Sequence, residues 1–401
     1  MRVTHVITRL IVGGAQENTI ASVLGLRERY GWETRLISGP TQGAEGSLEP
    51  LVNHLPGLLT LEPALVRPLH PWNDVLAYSR LTRCFRVGRP DLVHTHSGKA
   101  GVLGRLAARR AGVSLIVHTI HGPSFGPFQG WLANTVFRQA EQRAGRVTTH
   151  FVAVAEALIE QYLAAGIGRR ADYTRIFSGF DLTPFLNATN DLQLRARWGL
   201  SPDDFVIGKI ARLFKLKGHD DLFALAPELV RRCPRIKFLL VGDGDWRARF
   251  ENLARTSGFA PHFRFTGLVP PAAVPALVGV MDAVIHLSRR EGLPRALPQA
   301  LAAGKPVVAY DCDGAREVCR EDETGFLVRP GDTSRLVQCL LRLESDPALA
   351  RRLGRCGQQF VRQHFAVETM VDALHCLYQQ LAASRRTPSE TNALARPPAI
   401  S

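Results

Sequence analysis

The residues best suited to chemistry fall at five points of the chain, each just behind a short apolar run. In the second half, Ala211-Arg212-Leu213-Phe214-Lys215-Leu216-Lys217-Gly218 puts Arg212 and Lys217 in one loop after the run Phe205–Ile210. Arginine offers a planar fork of N–H donors that matches phosphate oxygens, and lysine a mobile point charge. Together they could neutralise a departing diphosphate, although a solvated basic loop would look the same. A Walker A loop is excluded: it needs Gly-x-x-x-x-Gly-Lys, and none of Gly98, Gly208 and Gly304, which precede lysines, has glycine five residues earlier.

Further on, Glu291-Gly292-Leu293-Pro294-Arg295-Ala296-Leu297-Pro298-Gln299 follows the run Ala283–Leu287 and opens an apolar helix over Arg295–Ala303. Gly292 and Pro294, which lacks an amide proton, suit a tight entry into a helix. Glu291 in the loop and Gln299, eight positions later, could grip two ends of one polyol; an acid at a helix start also satisfies the helix dipole alone. The segment Asp311-Cys312-Asp313-Gly314-Ala315-Arg316-Glu317 has the Asp-x-Asp spacing that invites a metal. A βα turn fits it better, with the amides after Gly314 facing an anion, so no metal site is expected.

Two constellations lie in the first half. Gly13-Gly14-Ala15-Gln16-Glu17-Asn18 follows the run Val3–Ile7. Its glycines let backbone amides approach a ligand, and the helix start behind them favours an anion. It is not the Gly-x-Gly-x-x-Gly dinucleotide fingerprint, and an ordinary turn would use the same glycines. The stretches His94-Thr95-His96-Ser97-Gly98-Lys99 and His118-Thr119-Ile120-His121-Gly122-Pro123 sit where strands give way to loops. A metal centre needs a compact set of histidines and carboxylates, and the nearest acid, Asp91, lies at the other end of its strand. Polar groups aimed at a hydroxylated ligand are the expectation; Thr95 and Ser97 also suit ordinary capping and turn bonds.

These points need elements to hold them. Val3–Ile7, Thr34–Ile37, Leu58–Leu61, Leu92–Thr95, Leu115–His118, Thr148–Val154 and Tyr173–Phe177 read as strands, with helical periodicity between most of them, as in Lys99–Arg110 and Trp131–Gln142. After a weaker stretch from Phe180 to Asp203, a second set follows: Phe205–Ile210, Ile236–Val241, Phe263–Thr266, Ala283–Leu287, Pro306–Ala309 and Gly325–Val328. Alternating βα order predicts parallel sheets covered by helices. Domains are expected at 1–180 and 203–364, with a linker over 181–202. Helical patterns at Asp332–Arg342 and Val367–Ala382 follow, the latter within a helix over 365–383 that packs back toward the first domain; 384–401 is Pro/Ser/Thr/Arg-rich and expected to be disordered.

Composition narrows the class. The 401 residues are 45% hydrophobic and 21% charged, an ordinary globular mix too long for one core. The 50 Lys and Arg against 36 Asp and Glu give a net charge of +14. Such a balance favours anionic partners, whether a nucleotide diphosphate, nucleic acid or a membrane surface, or simply reflects Arg-rich solvated faces. No aromatic-plus-basic strand motif supports nucleic acid. Seven cysteines without a Cys-x-x-Cys pair predict neither zinc nor a disulfide framework, but a reducing compartment. Met1–Ile7 reads as a strand, not a signal peptide, and no apolar run approaches the roughly 18 residues of a membrane span.

In order and spacing, Gly13-Gly14-Ala15-Gln16-Glu17, Thr119-x-His121, Arg212-x-x-x-x-Lys217-Gly218, Gly242-Asp243-Gly244, Glu291-Gly292-x-Pro294 and Asp313-Gly314-Ala315-x-Glu317 resemble the family four, or group 1, glycosyltransferases of GT-B fold, from about residue 2 to 380. The resemblance implies an α/β protein of two facing Rossmann-like domains with an interdomain cleft. It implies a retaining, metal-independent hexosyltransferase that moves a sugar from a nucleotide-diphosphate sugar, a co-substrate and not a bound cofactor, to a hydroxyl acceptor. Gly13 and Gly14 would lie against the donor phosphates, and His121 would contact the donor sugar. Arg212 and Lys217 would bind the diphosphate, and Glu291 the sugar hydroxyls. The amides around Gly292 and Leu293 would meet sugar or phosphate, beside Asp313 and Gly314. Gln299 stands where the family has a second Glu that grips the ribose; the amide is uncharged and a weaker acceptor. A sugar or lipid-linked acceptor, a cytoplasmic location with an anionic membrane surface as possible partner, and a role in bacterial cell-surface polysaccharide, lipopolysaccharide or glycolipid assembly complete the expectation; nucleic acid is not an expected partner. Two alternatives stand beside it: a catalytically weak nucleotide-sugar-binding protein, kept open by Gln299, and a sugar-nucleotide epimerase or hydrolase of similar architecture.

Overall fold

The computed structural model describes residues 1–41, 46–126 and 128–386. They form two compact units: Met1–Val154 with Leu158–Phe180 and the chain from Val367, and Ala155–Ala157 with Asp181–Ala366.

The first unit is built on β1 (Arg2–Ile7), β2 (Glu33–Ser38), β3 (Leu59–Leu61), β4 (Leu92–His96), β5 (Leu115–Ile120), β6 (His150–Ala153) and β7 (Tyr173–Arg175), a parallel sheet in the order β3-β2-β1-β4-β5-β6-β7. Every residue of β4, β5 and β6 is buried, because helices cover both faces; hence their unbroken apolar runs. The histidines and threonines inside them must therefore find partners within the protein. Strand order reverses between β1 and β4, which opens a crevice at the carboxyl ends of those strands.

The second unit repeats the plan with β8 (Phe205–Ile210), β9 (Ile236–Val241), β10 (Phe263–Gly267), β11 (Ala283–His286), β12 (Val307–Tyr310) and β13 (Gly325–Val328), ordered β10-β9-β8-β11-β12-β13, all parallel. Its core joins Ile207, Phe238, Leu240 and Ile285 of the sheet to Leu222, Leu229, Leu336 and Leu340 of the covering helices. Each such side chain contributes about 1.5–3 kcal/mol by leaving water. The reversal here lies between β8 and β11, so the loops after these two strands flank the crevice.

The segment 181–202, expected as a linker, belongs to the second unit and carries helices Thr183–Leu186 and Leu192–Arg197. The reason is Arg195: its buried guanidinium bonds the carbonyls of Val280, Pro202 and Asp204 and the carboxylate of Asp282 at 2.7 Å. Helix Pro347–His364 lies outside the helical patterns read from the sequence, although Asp346 caps it, Pro347 starts it and Leu349, Leu353, Phe360 and Val361 recur along its buried face. Helix Val367–Arg386 belongs to the first unit, where Met370, Val371, Leu374 and Tyr378 pack with Val3, Leu26 and Leu92. A Cβ on Gly25 would lie 2.5 Å from Val371, so helix Gly14–Tyr30 approaches this last helix closely at that point. Of the tail expected to be disordered, 384–386 continue the helix, and 387–401 lie outside the described residues.

Candidate functional site

In the second unit the loop after β8 is shaped from both sides. Leu213 N donates to Asp243 O at 2.9 Å, and Trp246 N to Leu213 O at 3.1 Å. Gly242 and Gly244 are needed because a Cβ there would stand 2.3 and 2.7 Å from the carbonyls of Ala211 and Leu213. On the other side Leu216 adopts φ 70°, a left-handed conformation costly for leucine, held by Arg289 N donating to Leu216 O at 2.9 Å. Gly218 has φ 68°, and a Cβ on it would strike Leu287 O at 2.0 Å. The loops after β8 and β11 are thereby locked flush at the switch point.

This locking brings Lys217 to Glu291. The ammonium bonds Glu291 Oε1, and His286 Nε2 lies 3.8 Å from the same oxygen. Burial alone would raise the Glu291 carboxyl, but the Lys217 charge and hydrogen bond outweigh it and hold the group below the usual carboxylate range. Asp313 Oδ2 accepts the Glu291 amide at 2.7 Å, and Gly314 N donates to Gly292 O at 3.1 Å. A side chain at Gly314 would meet that carbonyl at 2.4 Å. Asp313 and Gly314 thus fix the Glu291-Gly292 loop. Asp311 is engaged elsewhere, with Arg316 at 2.6 and 2.9 Å, so the two aspartates do not converge as a ligand pair. Arg212 is exposed, its guanidinium 4.9 Å over the Phe214 ring. Leu293 and Gln299 are half-buried, the latter in helix Ala296–Ala302.

Beneath the pair lies an unexpected basic cluster. Lys209 of β8 is 1% exposed and its ammonium has no hydrogen-bond partner. Burial, and then Lys217, push its pKa down to about 7. Both ring nitrogens of His219 and Nε2 of His286 are equally buried and unpartnered. Burial lowers these imidazoles to about 2 and about 3, so both are neutral.

In the first unit, Gly13 caps helix Gly14–Tyr30 without any side-chain capping bond. Its φ of 175° is ordinary extended backbone, and only the flexible end of Gln16 would crowd a Cβ. The chain's own packing does not demand glycine there; close approach of a ligand to the helix N-terminus would. Among the described residues His5, His94 and His96 bring ring nitrogens within 4.8 Å of one another, a spacing a metal could use. Hydrogen bonds account for most of it instead. His94 bonds the Tyr378 hydroxyl and, at 2.6 Å, Thr119 Oγ1. His5 Nδ1 meets His96 Nε2 at 3.0 Å, and His96 Nδ1 meets His121 Nε2 at 3.0 Å. Burial holds His5 and His121 near pKa 3, and His94 and His96 well below the ordinary imidazole value.

Two family models match the chain: "Glycosyl transferase 4-like domain" over residues 13–177 and "Glycosyl transferases group 1" over residues 190–360. The chain belongs to the group 1 glycosyltransferases. Among relatives, a Bacillus subtilis protein that carries the name glycosyltransferase EpsD is 28% identical over 302 residues, 73% of this chain and 77% of that one. The Escherichia coli UDP-Gal:alpha-D-GlcNAc-diphosphoundecaprenol alpha-1,3-galactosyltransferase is 26% identical over 327 residues, 80% of this chain and 84% of its own. The crystal structure of Anabaena HepE with UDP superposes with a TM-score of 0.79 at 23% identity, covering 95% of this chain and 100% of that one. That likeness shows the fold, shared with GT-B glycosyltransferases.

In this glycosyltransferase, Lys217, Glu291, Gly292, Asp313 and Gly314 come together at one sheet edge, and Arg212 shares the Lys217 loop. His121 and Gly13-Gly14 sit at the carboxyl edge of the other sheet, behind β5 and β1 respectively. The sequence reading missed Lys209 and the neutral His219 and His286. It also missed His5, which arrives beside His94 because β1 and β4 are in register there. A charged or titratable residue inside an otherwise apolar strand was the available signal in each strand case.

Proposed function

We propose that this glycosyltransferase is a retaining, metal-independent hexosyltransferase that takes its sugar from a nucleotide-diphosphate sugar. The contact of Lys217 with Glu291, on a loop braced by Asp313 and Gly314, carries the reading. A cation for the diphosphate and a carboxylate for sugar hydroxyls lie side by side, so a donor spanning both would place its scissile bond near the ammonium. Arg212 and Lys217 stabilise the charge that develops as the diphosphate leaves. Glu291 orients the sugar, and Gly13-Gly14 and His121 contact phosphate and sugar from the first unit. Gln299 accepts from the ribose. Attack on the face the diphosphate leaves, with the leaving phosphate taking the acceptor proton, accounts for retention without a carboxylate pair of the hydrolase type. Asp311 and Asp313 are both committed to the protein, which supports independence from metal. Transfer from a panel of nucleotide sugars is expected to proceed at an unchanged rate in chelator, with an axial donor bond giving an axial product by NMR. Activity lost in chelator and restored by Mg²⁺ or Mn²⁺, or an inverted product, would overturn the reading.

The acceptor is a sugar or a lipid-linked sugar at an anionic membrane, in cell-surface polysaccharide or glycolipid assembly. The names of the galactosyltransferase above and of the Mycolicibacterium smegmatis phosphatidylinositol monomannoside mannosyltransferase, 29% identical over 301 residues, support this. Among the described residues no helix is long and apolar enough to cross a membrane. Helices Pro71–Gly88 and Trp131–Gly145 each follow a parallel strand, so their first turns lie at the carboxyl edge of the first sheet. There Trp72 and Trp131 are each 81% exposed, beside exposed Leu69, Val75 and Leu132. Exposed tryptophans on a chain of net charge +14 suit the interface of an anionic bilayer. Flotation is expected to recover the protein with anionic vesicles at low salt, and Trp72→Ser with Trp131→Ser to reduce recovery severalfold. Equal partitioning of both proteins onto neutral and anionic vesicles would remove the argument.

A further inference from the structure

The contacts from His5 through His96 to His121 have a consequence for what His121 offers a ligand. Each N···N contact, at 3.0 Å, needs one proton between its two nitrogens. A neutral imidazole has one N–H and one bare nitrogen. Burial keeps all three rings neutral, so three protons serve two contacts and one end. Only two arrangements satisfy this. Either every proton points outward, from His5 Nδ1 to His96 Nε2 and from His96 Nδ1 to His121 Nε2, leaving His121 protonated on Nδ1. Or every proton points inward, leaving His121 with a bare Nδ1 and His5 with a proton on Nε2.

His5 decides between them. Its ring is fully buried and Nε2 has no hydrogen-bond partner. The inward arrangement would strand an N–H donor there, the rarer and costlier kind of orphan; the outward one leaves a lone pair. His94 does not disturb the chain, since its nitrogens are taken by Tyr378 and Thr119.

We propose that His5 and His96 are positioning residues that fix the tautomer of His121, so that His121 meets its ligand as an N–H donor from Nδ1. The ligand atom it recognises is then an acceptor, a sugar hydroxyl oxygen or a phosphate oxygen. This rests on the reading of His121 as a ligand contact. It deepens that reading, because without the chain behind it the same imidazole could present either a donor or an acceptor.

Long-range ¹H–¹⁵N correlation on the full chain with ¹⁵N-labelled histidine tests it, read together with donor KM and kcat. Wild-type His121 is expected as a single tautomer protonated on Nδ1. His5→Leu, which does not touch His121, is expected to make His121 a mixture of tautomers and to raise the donor KM by about tenfold, the worth of one hydrogen bond, with kcat changed less. His5→Gln, which can still donate to His96, should restore most of the single tautomer. Wild-type His121 protonated on Nε2, or an unchanged tautomer in folded His5→Leu, would overturn the relay. Zinc copurifying in stoichiometric amount on His5 and His96 would do so too, since a metal would take the lone pairs the chain uses. Failure of the underlying reading shows separately, as a His121→Ala protein with wild-type donor KM.

Discussion

The double substitution Arg212→Ala with Lys217→Ala is expected to lower kcat/KM by about 10³-fold or more, since losing one electrostatic donor to a developing charge costs roughly 2–4 kcal/mol. Each single variant should lose about 10²-fold on the same grounds, and the losses should not add. On the proposed reading both cations act on the same diphosphate, so their losses overlap instead of adding, and they differ in what else each touches. Lys217 bonds Glu291 and holds its carboxyl below the ordinary range, against a burial that raises it. On the proposed reading, Lys217→Ala removes a phosphate contact and also frees the Glu291 carboxyl from the charge that lowers it, whereas Arg212→Ala, at an exposed residue beside Phe214, removes a phosphate contact. The pH profile should separate them: in Lys217→Ala the acid limb moves upward as Glu291 takes a proton more readily, and in Arg212→Ala it stays. Steady-state rates with saturating acceptor, on proteins whose melting confirms folding, decide the matter. A double variant that transfers sugar at the wild-type rate would show that the diphosphate is held elsewhere.

The second large effect concerns Lys209. Its pKa falls to about 7 in the folded protein from an ordinary value of 10.5. Between these values the unfolded chain binds the proton and the folded one does not, so stability rises with pH across that window. Above about 10.5 the lysine is neutral in both states and costs little; below about 7 the folded state carries a buried charge and the full penalty applies, several kcal/mol by linkage. Lys209→Met keeps the aliphatic stem and removes the charge. Denaturant unfolding should find the variant more stable than the parent at pH 6, by about 3–5 kcal/mol, with the gap closing as pH rises toward 10. A gap independent of pH would mean that Lys209 is not held near neutrality. Activity is a separate readout: Lys209 lies beneath Lys217 and Glu291, and a charge there opposes the Lys217 ammonium.

Much of this protein was legible before folding was considered. Short apolar runs mark the thirteen strands of the described residues to within a few residues; in β4, β5 and β6 burial of every position admits little else, whereas the edge strands β3 and β7 are short and partly exposed. The loops bearing Arg212, Lys217, Glu291 and Asp313 were readable for a related reason: glycines at tight junctions, with charged residues beside them, stand out against apolar strands. Asp313 was read as part of a turn facing a ligand; its carboxylate instead serves the Glu291 amide, a long-range bond that no local spacing announces. The supposed linker was missed on the same ground, since Arg195 finds its partners eighty-odd residues away at Val280 and Asp282.

What the sequence determined by itself is the repeating βα plan, the two sets of strands and the residue types available at each sheet edge, all of which follow from local periodicity and turn chemistry. The tertiary structure decided which of those residues meet. Parallel pairing of β1 with β4 sets His5 beside His94, and the flush packing of Gly218 on Leu287 sets Lys217 on Glu291. It also decided the protonation states, for those depend on burial and on neighbours distant in the chain: Lys209 and the imidazoles are titrated by their surroundings, and the surroundings exist only once the sheets have formed.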